Sequence, residues 1–570
     1  MRQGPGPQPR TDGSVDLVGG LLALLARAGA GYLLGAGHVA GARRLTLWGL
    51  RHAPDDPELC ALRGQVCLRA AAMYGSRRLD DAIACLEEAD AAYGKAIVRR
   101  ARAWELHRER GLALLRLAWA LGASEPETRH PEILRRAVAE MTTVIEAQPR
   151  RAEVLHERGM AHATLRMGAP DAEAERWLLL AVADLEASLR LRPHAHETLF
   201  HRGELHLELA RLHRRQGKRG PEAAAARAAL EDAQRLLRAK PGLEPALLLR
   251  SMAAAVLARL GQDPAGHADL AISSAATVLE QNPRHTRALL VRAEARVIAA
   301  CNLALQADAR ASLVWRQALA DLDSASDAVG LRGREDVGAL RAGARGEWAM
   351  AQRRAGALDA AREAWLRSLE DFERAVDDDP ADADRLIGRA RAQAGLAELA
   401  TRPDERAARR ARAAEDLAQA TAIRPDDLNL LVLRADLAAA PEGTDPGDAR
   451  SMLEEVDRAL GSAPDHEGLR AARRRLLLRV AALRPPGEDR AACVAAAMAE
   501  CERAVRDAPA DALAHYDHAR ALFLGGRPAE AYAALEQAVR KAPGLRHTAR
   551  HDPIWAPVAH ADGFRQLVEG

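Results

Sequence analysis

The sequence has few aromatic side chains, which make up 3% of its 570 residues, although hydrophobic residues of all kinds reach 48%. A composition dominated by Ala, Leu, Arg and Glu favours helix and offers little for strands, which prefer aromatic and β-branched residues. Lysine occurs only four times and asparagine only three times, which we interpret as the codon bias of a GC-rich genome. The 82 basic and 80 acidic residues leave a net charge of only +2, so the charge predicts neither a nucleic acid nor an anionic membrane as a partner.

Paired cysteines are also missing, because the six cysteines are scattered and no two have the two-residue separation of a zinc or redox motif. We expect small buried residues in a reducing compartment, and therefore a cytoplasmic protein. Near the N-terminus, Asp16 and Arg27 bound a stretch of about ten apolar residues, which is too short to span a bilayer. We expect residues 1–15 to be a flexible tail and the apolar run to begin the first helical pair, without membrane insertion; a secretory signal is the alternative.

A spacing of small and apolar residues recurs about twelve times along the chain, which is too long for one compact core. Residues at positions 0, +4 and +7 are small or apolar, and Pro or Gly stands at +12, as in Ala531, Leu535, Ala538 and Pro543. Positions 0, +4 and +7 share one helical face, and small side chains there allow another helix to approach closely. Another helix, with Leu and then Arg before a small residue, precedes each unit. The pattern predicts about twelve antiparallel helix pairs stacked into an all-α solenoid.

The best-fitting unit resembles the tetratricopeptide repeat (TPR). The signature positions of that repeat are occupied here by Ala519, Gly526, Ala531, Leu535, Ala538 and Pro543. The resemblance covers roughly residues 16–545, although other units are longer than the 34 residues of that repeat. The tail is similar to the segment that closes many bacterial TPR arrays, through Asp552, Pro553, Trp555, Pro557 and Phe564. It implies a helical repeat array over 16–545 and a C-terminal capping segment over 546–570.

Charged residues recur beside the predicted core positions of both helices of a unit. An arginine of the first helix and an acid of the second helix have the same phase in successive units, so we predict that they pair across the two helices. The predicted ion-pair residues are Arg158, Asp184, Arg202, Asp232, Arg292, Asp321, Arg389 and Asp416. The alternative is two solvated faces whose phases coincide.

No motif for catalysis, cofactor binding or metal binding was identified. The densest histidine cluster includes His194, His196 and His201, but His196-Glu197 and His201 have one residue too many for a zinc HExxH helix, and a third ligand is not evident. Phosphate-binding, calcium and nucleophile motifs are likewise absent from the sequence. We therefore predict no enzyme, no cofactor and no metal.

A surface remains as the predicted functional feature. The resemblance implies that the first helices line a concave groove that binds a protein or peptide segment with apolar anchors and some basic character. The predicted groove residues are Glu153, His156, Met160, Glu197, Phe200, Glu204, Leu248, Met252, Leu290 and Glu294. The sequence thus predicts a non-enzymatic scaffold or adaptor; a regulatory arm that works with a separate signalling enzyme, such as a bacterial Ser/Thr kinase, is the alternative.

Overall fold

The computed structural model describes residues 17–124, 130–306, 308–328, 331–440, 446–485 and 487–569. The predicted flexible tail, residues 1–15, lies outside the described residues. The chain divides into two compact units, unit 1 over residues 1–205 and unit 2 over residues 206–570.

All regular elements of the described residues are helices. The first eight helices belong to unit 1 and a ninth begins there: α1 Leu17–Gly35, α2 Val39–His52, α3 Pro57–Tyr74, α4 Leu79–Arg99, α5 Trp104–Ser124, α6 Pro131–Ala147, α7 Ala152–Leu165, α8 Asp171–Leu191 and α9 His196–Arg215. Unit 2 continues with α10 Arg219–Ala239, α11 Glu244–Arg259, α12 Pro264–Gln281, α13 Thr286–Leu305, α14 Ala311–Ala328, α15 Leu331–Arg354, α16 Leu358–Asp378, α17 Ala383–Leu399, α18 Pro403–Ile423, α19 Leu428–Ala438 and α20 Pro446–Ser462. It ends with α21 Glu467–Leu483, α22 Glu488–Asp507, α23 Ala512–Leu524, α24 Pro528–Lys541, α25 Leu545–His551 and α26 Asp562–Glu569, and a 3-10 helix, Pro553–Val558, lies between the last two.

The described helices α1 to α24 follow one another as twelve pairs, a first helix and a second helix in each. Within unit 1, α1 packs on α2, α3 on α4, α5 on α6 and α7 on α8, and the first three of these pairs each contact the pair that follows. In unit 2 the same order runs from α11 on α12 to α23 on α24. A single pair cannot bury its apolar faces alone, so stacking extends one core along each array. The predicted all-α solenoid of about twelve antiparallel helix pairs is confirmed.

Small residues of the repeat are buried where the second helix meets its neighbours. Ala531, Leu535 and Ala538 of α24 have no solvent exposure, and Ala413 and Ala420 of α18 have none either. Glycine takes this role on some first helices. A Cβ atom built at Gly388 of α17 would lie 2.2 Å from the ring of Phe372 on α16, so only glycine allows this approach. The spacing read from the sequence therefore marks the helix-packing surface.

Gly388→Ala should lower the free energy of unfolding by about 1–3 kcal/mol, because the added methyl group forces the Phe372 ring out of its position. Chemical denaturation measures the change. Gly338→Ala on α15 is the matched control, since nothing lies within 4 Å of its Cβ position. That control should be neutral or stabilising by about 0.5–1 kcal/mol. An equal loss in both variants would contradict the packing argument.

Arginines of the first helices form bidentate ion pairs with acids of the second helices. Arg158 donates from Nε and Nη2 to the Asp184 carboxylate at 2.9 and 2.6 Å. The corresponding distances are 2.9 and 2.6 Å for Arg292 with Asp321. Those pairs join α7 to α8 and α13 to α14. The arrangement recurs in the pairs Arg389 with Asp416, Arg341 with Asp371 and Arg434 with Glu455. Of the remaining predicted ion-pair residues, Arg202 lies on α9 and Asp232 on α10, where Asp232 is 1% exposed.

The aspartates of these pairs are buried, which two solvated faces do not explain, whereas Glu455 is partly exposed. Asp184, Asp321 and Asp416 are 6%, 4% and 4% exposed. Burial alone would raise the pKa of Asp184, but hydrogen bonds from His162 and Arg158 outweigh it and hold that pKa below its usual value. The carboxylate therefore stays charged inside the helix pair.

Asp184→Ala should lower the free energy of unfolding by about 3–5 kcal/mol, because it leaves the Arg158 guanidinium without its buried partner. Hydrogen exchange of the α7 and α8 amides measures this loss locally, which matters because a long repeat array need not unfold in one step. The control is Glu186→Ala on the same helix, where an exposed i,i+4 pair with Arg190 contributes about 0.3–0.5 kcal/mol. If Asp184→Ala lowers the free energy of unfolding by no more than this control, the Arg158–Asp184 pair contributes no more than an exposed ion pair, and the prediction is wrong.

Helix α1 differs from the sequence expectation in length. The window Val18–Gly35 is long and apolar enough to cross a membrane by length and composition, and 22% of it is buried. The predicted limit of about ten apolar residues is therefore wrong, because Arg27 does not interrupt the helix. The exposed side chains Val18, Leu21, Leu25 and Tyr32 lie along one face of α1, at a spacing of three, four and seven residues.

The C-terminal segment packs on the last helix pair. Trp555 and Phe564 are 1% and 3% exposed and belong to one core cluster with Leu535 of α24. Asp552 accepts a hydrogen bond from Oη of Tyr516 at 2.9 Å and forms an ion pair with Arg520, whose Nε lies 2.9 Å from the carboxylate. The buried carboxylate thus ties the segment to α23.

Candidate functional site

The predicted groove residues of unit 1 lie on α7 and α9, the first helices of two successive pairs. Glu153, His156 and Met160 are half-buried on α7, and the Glu153 carboxylate pairs with Arg192 at 3.0 Å. On α9, Glu197 is exposed, while Phe200 and Glu204 are half-buried. The structure brings His156 and Glu197 together with His201, a residue that was not among those predicted for the groove.

The predicted groove residues of unit 2 lie on α11 and α13. Leu248 is 6% exposed, so its placement in a groove is wrong, and it is a packing residue of α11. Met252 and Leu290 are half-buried, and Glu294 is exposed. The Met252 sulfur accepts a hydrogen bond from Arg287 at 3.5 Å.

The helix pairs of unit 2 coil until distant repeats meet. Asn429 at the start of α19 donates to the carbonyl oxygen of Arg215, which is 214 residues earlier in the sequence, at 2.5 Å. Arg219 pairs with Glu467 at 3.3 Å. The amide of Gly544 donates to the carbonyl oxygen of Arg354 at 3.2 Å. Successive turns of the coil therefore contact one another inside this unit.

A cavity of about 880 Å³ lies between these turns. One wall consists of the ends of first helices, at Arg214, Arg259, Leu305 and Arg354. The other wall consists of the starts of later first helices and the loops before them. These lining residues lie around Asn429 and within 466–474, 507–513 and 541–548. Its volume falls within the range of about 300–1,000 Å³ that is typical of ligand sites. We call it the basic cavity because of its charge.

Positive charge predominates on the lining of the basic cavity. Nine basic side chains lie there against five acidic ones, and this excess of four is twice the net charge of the whole chain. Some of these charges are paired, as in Arg259 with Glu222 at 2.9 Å. Among the described residues, four exposed lining cations have no ion-pair or hydrogen-bond partner for their side chains: Arg214, Arg354, Arg503 and Lys541.

The surroundings of Arg214 increase its tendency to bind an anion. Its side chain is exposed to water in the basic cavity, yet protein surrounds it, and the positive Arg259 is near. The loss of solvation and the charge of Arg259 lower the pKa of Arg214, and the charges of Glu294, Glu222 and Glu347 offset this only in part. A carboxylate or other anion beside it would compensate for both effects, and the guanidinium can accept such a group in a bidentate way.

The lining of the basic cavity includes neither serine nor cysteine, and its nucleophilic side chains are those of Thr548, His466 and Lys541. Elsewhere all six cysteines are free, and burial raises the pKa of Cys67 and Cys301 to about 12, which keeps their thiols protonated.

Sequence reasoning missed the basic cavity and the contact of His156 with His201. One available signal was the placement of arginines at first-helix ends, in "RRQGKRG" at 214–220 and in the doublet Arg353-Arg354. Cations at helix C-termini also interact favourably with the helix dipole, so the motif alone did not distinguish a site from a cap. No local signal joins His156 to a helix that begins forty residues later.

Comparisons with known proteins give similarity to solved structures alone, since no protein-family profile and no curated protein matches the sequence. A TPR protein from Parabacteroides merdae ATCC 43184 is 12% identical, with 65% of this chain and 97% of that chain covered and a TM-score of 0.32. YrrB, described as a TPR protein with an unusual peptide-binding site, is 19% identical over 42% of this chain and 92% of its own, with a TM-score of 0.27. Yeast Tom70 is 14% identical over 87% of this chain and 98% of its own, with a TM-score of 0.33. The assignment of the fold rests on the helix contacts of this chain, because these scores are low.

Proposed function

We propose that the protein is a non-enzymatic interaction scaffold, and that unit 2 binds an acidic segment of a partner protein in the basic cavity. The observation that carries this proposal is the excess of four positive charges on a cavity of about 880 Å³. The chemistry differs from the sequence expectation of a partly basic segment, which relied on the acids Glu153, Glu197 and Glu204.

Several features of the basic cavity favour an extended polypeptide. The four cations without described partners come from α9, α15, α22 and α24, so they are distributed around the walls rather than gathered at one point. A segment with several Asp or Glu residues could reach more than one of them, whereas a single small anion could not. Arginine forks match carboxylates in geometry, and complementary charge accelerates association.

We also propose a cytoplasmic location, and a regulatory role remains the alternative to a general scaffold. A cytoplasmic place suits six free cysteines, four of them buried. A regulatory arm that works with a separate signalling enzyme would use the same basic cavity to hold an acidic segment of that enzyme. None of the described contacts favours this alternative over a general scaffold.

Reversal of two charges in the basic cavity should abolish partner binding. The variant Arg214→Glu, Arg354→Glu changes the lining from an excess of four positive charges to balance, so acidic segments should no longer be retained. Affinity capture from nuclease-treated lysate at low and moderate salt, with quantitative mass spectrometry, measures the loss. Binding by the unaltered protein should weaken as salt rises, because exposed charges are screened.

The matched control is Arg238→Glu, Arg506→Glu, which makes the same charge change at two exposed positions outside the lining. Its partners should equal those of the unaltered protein. Peptides synthesised from the acidic segments of retained partners should then bind directly. Equal capture by all three proteins, or loss of all partners after nuclease treatment, would overturn the proposal.

A further inference from the structure

Two histidines and a glutamate converge between α7 and α9 in unit 1. Glu197 and His201 lie one helical turn apart on α9, and His156 faces them from α7. One ligand atom from each of the three side chains lies within 4.8 Å of the other two. The His156 and His201 ring centroids are 5.5 Å apart. The cluster does not include His194, which is exposed.

The distances are close to those that a bound metal ion requires. Zinc lies about 2.0–2.2 Å from histidine nitrogen and carboxylate oxygen, so tetrahedral ligand atoms are roughly 3.3–3.5 Å apart. His201 Nε2 and Glu197 Oε1 are 3.9 Å apart. The exposed Glu197 side chain needs only a small rotation to reach the required distance. Helical spacing i, i+4 places these two groups on one face.

Each imidazole also has a polar neighbour on the nitrogen that would not bind the ion. His156 Nδ1 is 3.0 Å from the hydroxyl oxygen of Thr198, and His201 Nδ1 is 3.6 Å from the Glu204 carboxylate. A proton on Nδ1 that is donated toward these oxygens would leave Nε2 for the ion. Histidines that bind metals commonly donate their second N–H to an oxygen in this way.

We propose that His156, Glu197 and His201 bind one divalent ion of the zinc class, with two imidazoles, one carboxylate and a fourth position open to water or to a partner side chain. Nitrogen ligands with a single carboxylate favour zinc and its transition-metal neighbours over magnesium and calcium, which prefer oxygen. The ion would join the first helices of two successive repeats. This site is independent of the basic cavity, so each proposal can fail alone.

Zinc titration of the EDTA-treated full-length protein, in competition with a chromophoric chelator, tests the proposal. One ion per chain should bind, and cobalt should give the visible absorption of a tetrahedral site. His156→Ala, His201→Ala and Glu197→Gln should each weaken zinc binding at least about tenfold, as loss of even an outer neighbour does at such sites. Glu197→Gln is informative because the side chain is exposed and its replacement leaves the fold intact.

His194→Ala is the matched control, since it removes a nearby exposed histidine outside the cluster. Its zinc affinity should equal that of the unaltered protein, and zinc should raise the melting temperature of both proteins but not of Glu197→Gln. The proposed site would be overturned if Glu197→Gln and His201→Ala bind zinc as tightly as the unaltered protein does. It would also be overturned if His194→Ala loses as much zinc affinity as those two variants.

Discussion

The bidentate ion pair between the first and second helices is the interaction on which the geometry of the repeats that contain it depends. Arg158 with Asp184, and Arg292 with Asp321, fix the rotation of one helix against the other, because two parallel hydrogen bonds permit a single orientation. Small residues such as Ala181 and Gly159 then allow the helices to approach closely. Buried charge is not itself strongly stabilising, so we attribute to it the choice of register rather than the strength of the core.

A fixed geometry within each pair has a consequence over many pairs. A small rotation from one pair to the next accumulates along unit 2 until Arg215 and Asn429 meet, and the space left between the turns becomes the basic cavity. Some of its cations, such as Arg214, Arg259 and Arg354, lie at the ends of first helices, where they neutralise helix dipoles and can also attract an anionic partner. The same residues therefore contribute to helix ends and to the proposed function.

The sequence was sufficient to predict the helices, their pairing and the face that packs, because these follow from contacts inside one repeat. Ala531, Leu535 and Ala538 stand at a helical spacing, and all three are buried. The sequence could not predict the basic cavity, because the rotation per pair depends on packing details that no local pattern encodes. Leu248 illustrates the limit, since an error of one position along a helix turns a groove residue into a core residue. The contact between His156 and His201 was missed because the two residues lie in different repeats, and only the stacking of those repeats brings them together.

The central claim is that unit 2 coils until its repeats enclose the basic cavity. Spin labels at Arg219→Cys and Glu467→Cys, in a protein whose six native cysteines are replaced by alanine, test it by pulsed electron paramagnetic resonance. The pair is 3.3 Å apart at its charged atoms, so the account predicts one narrow population at short distance. A broad distribution centred at long distance would show that these turns do not meet, and the basic cavity would not exist in solution.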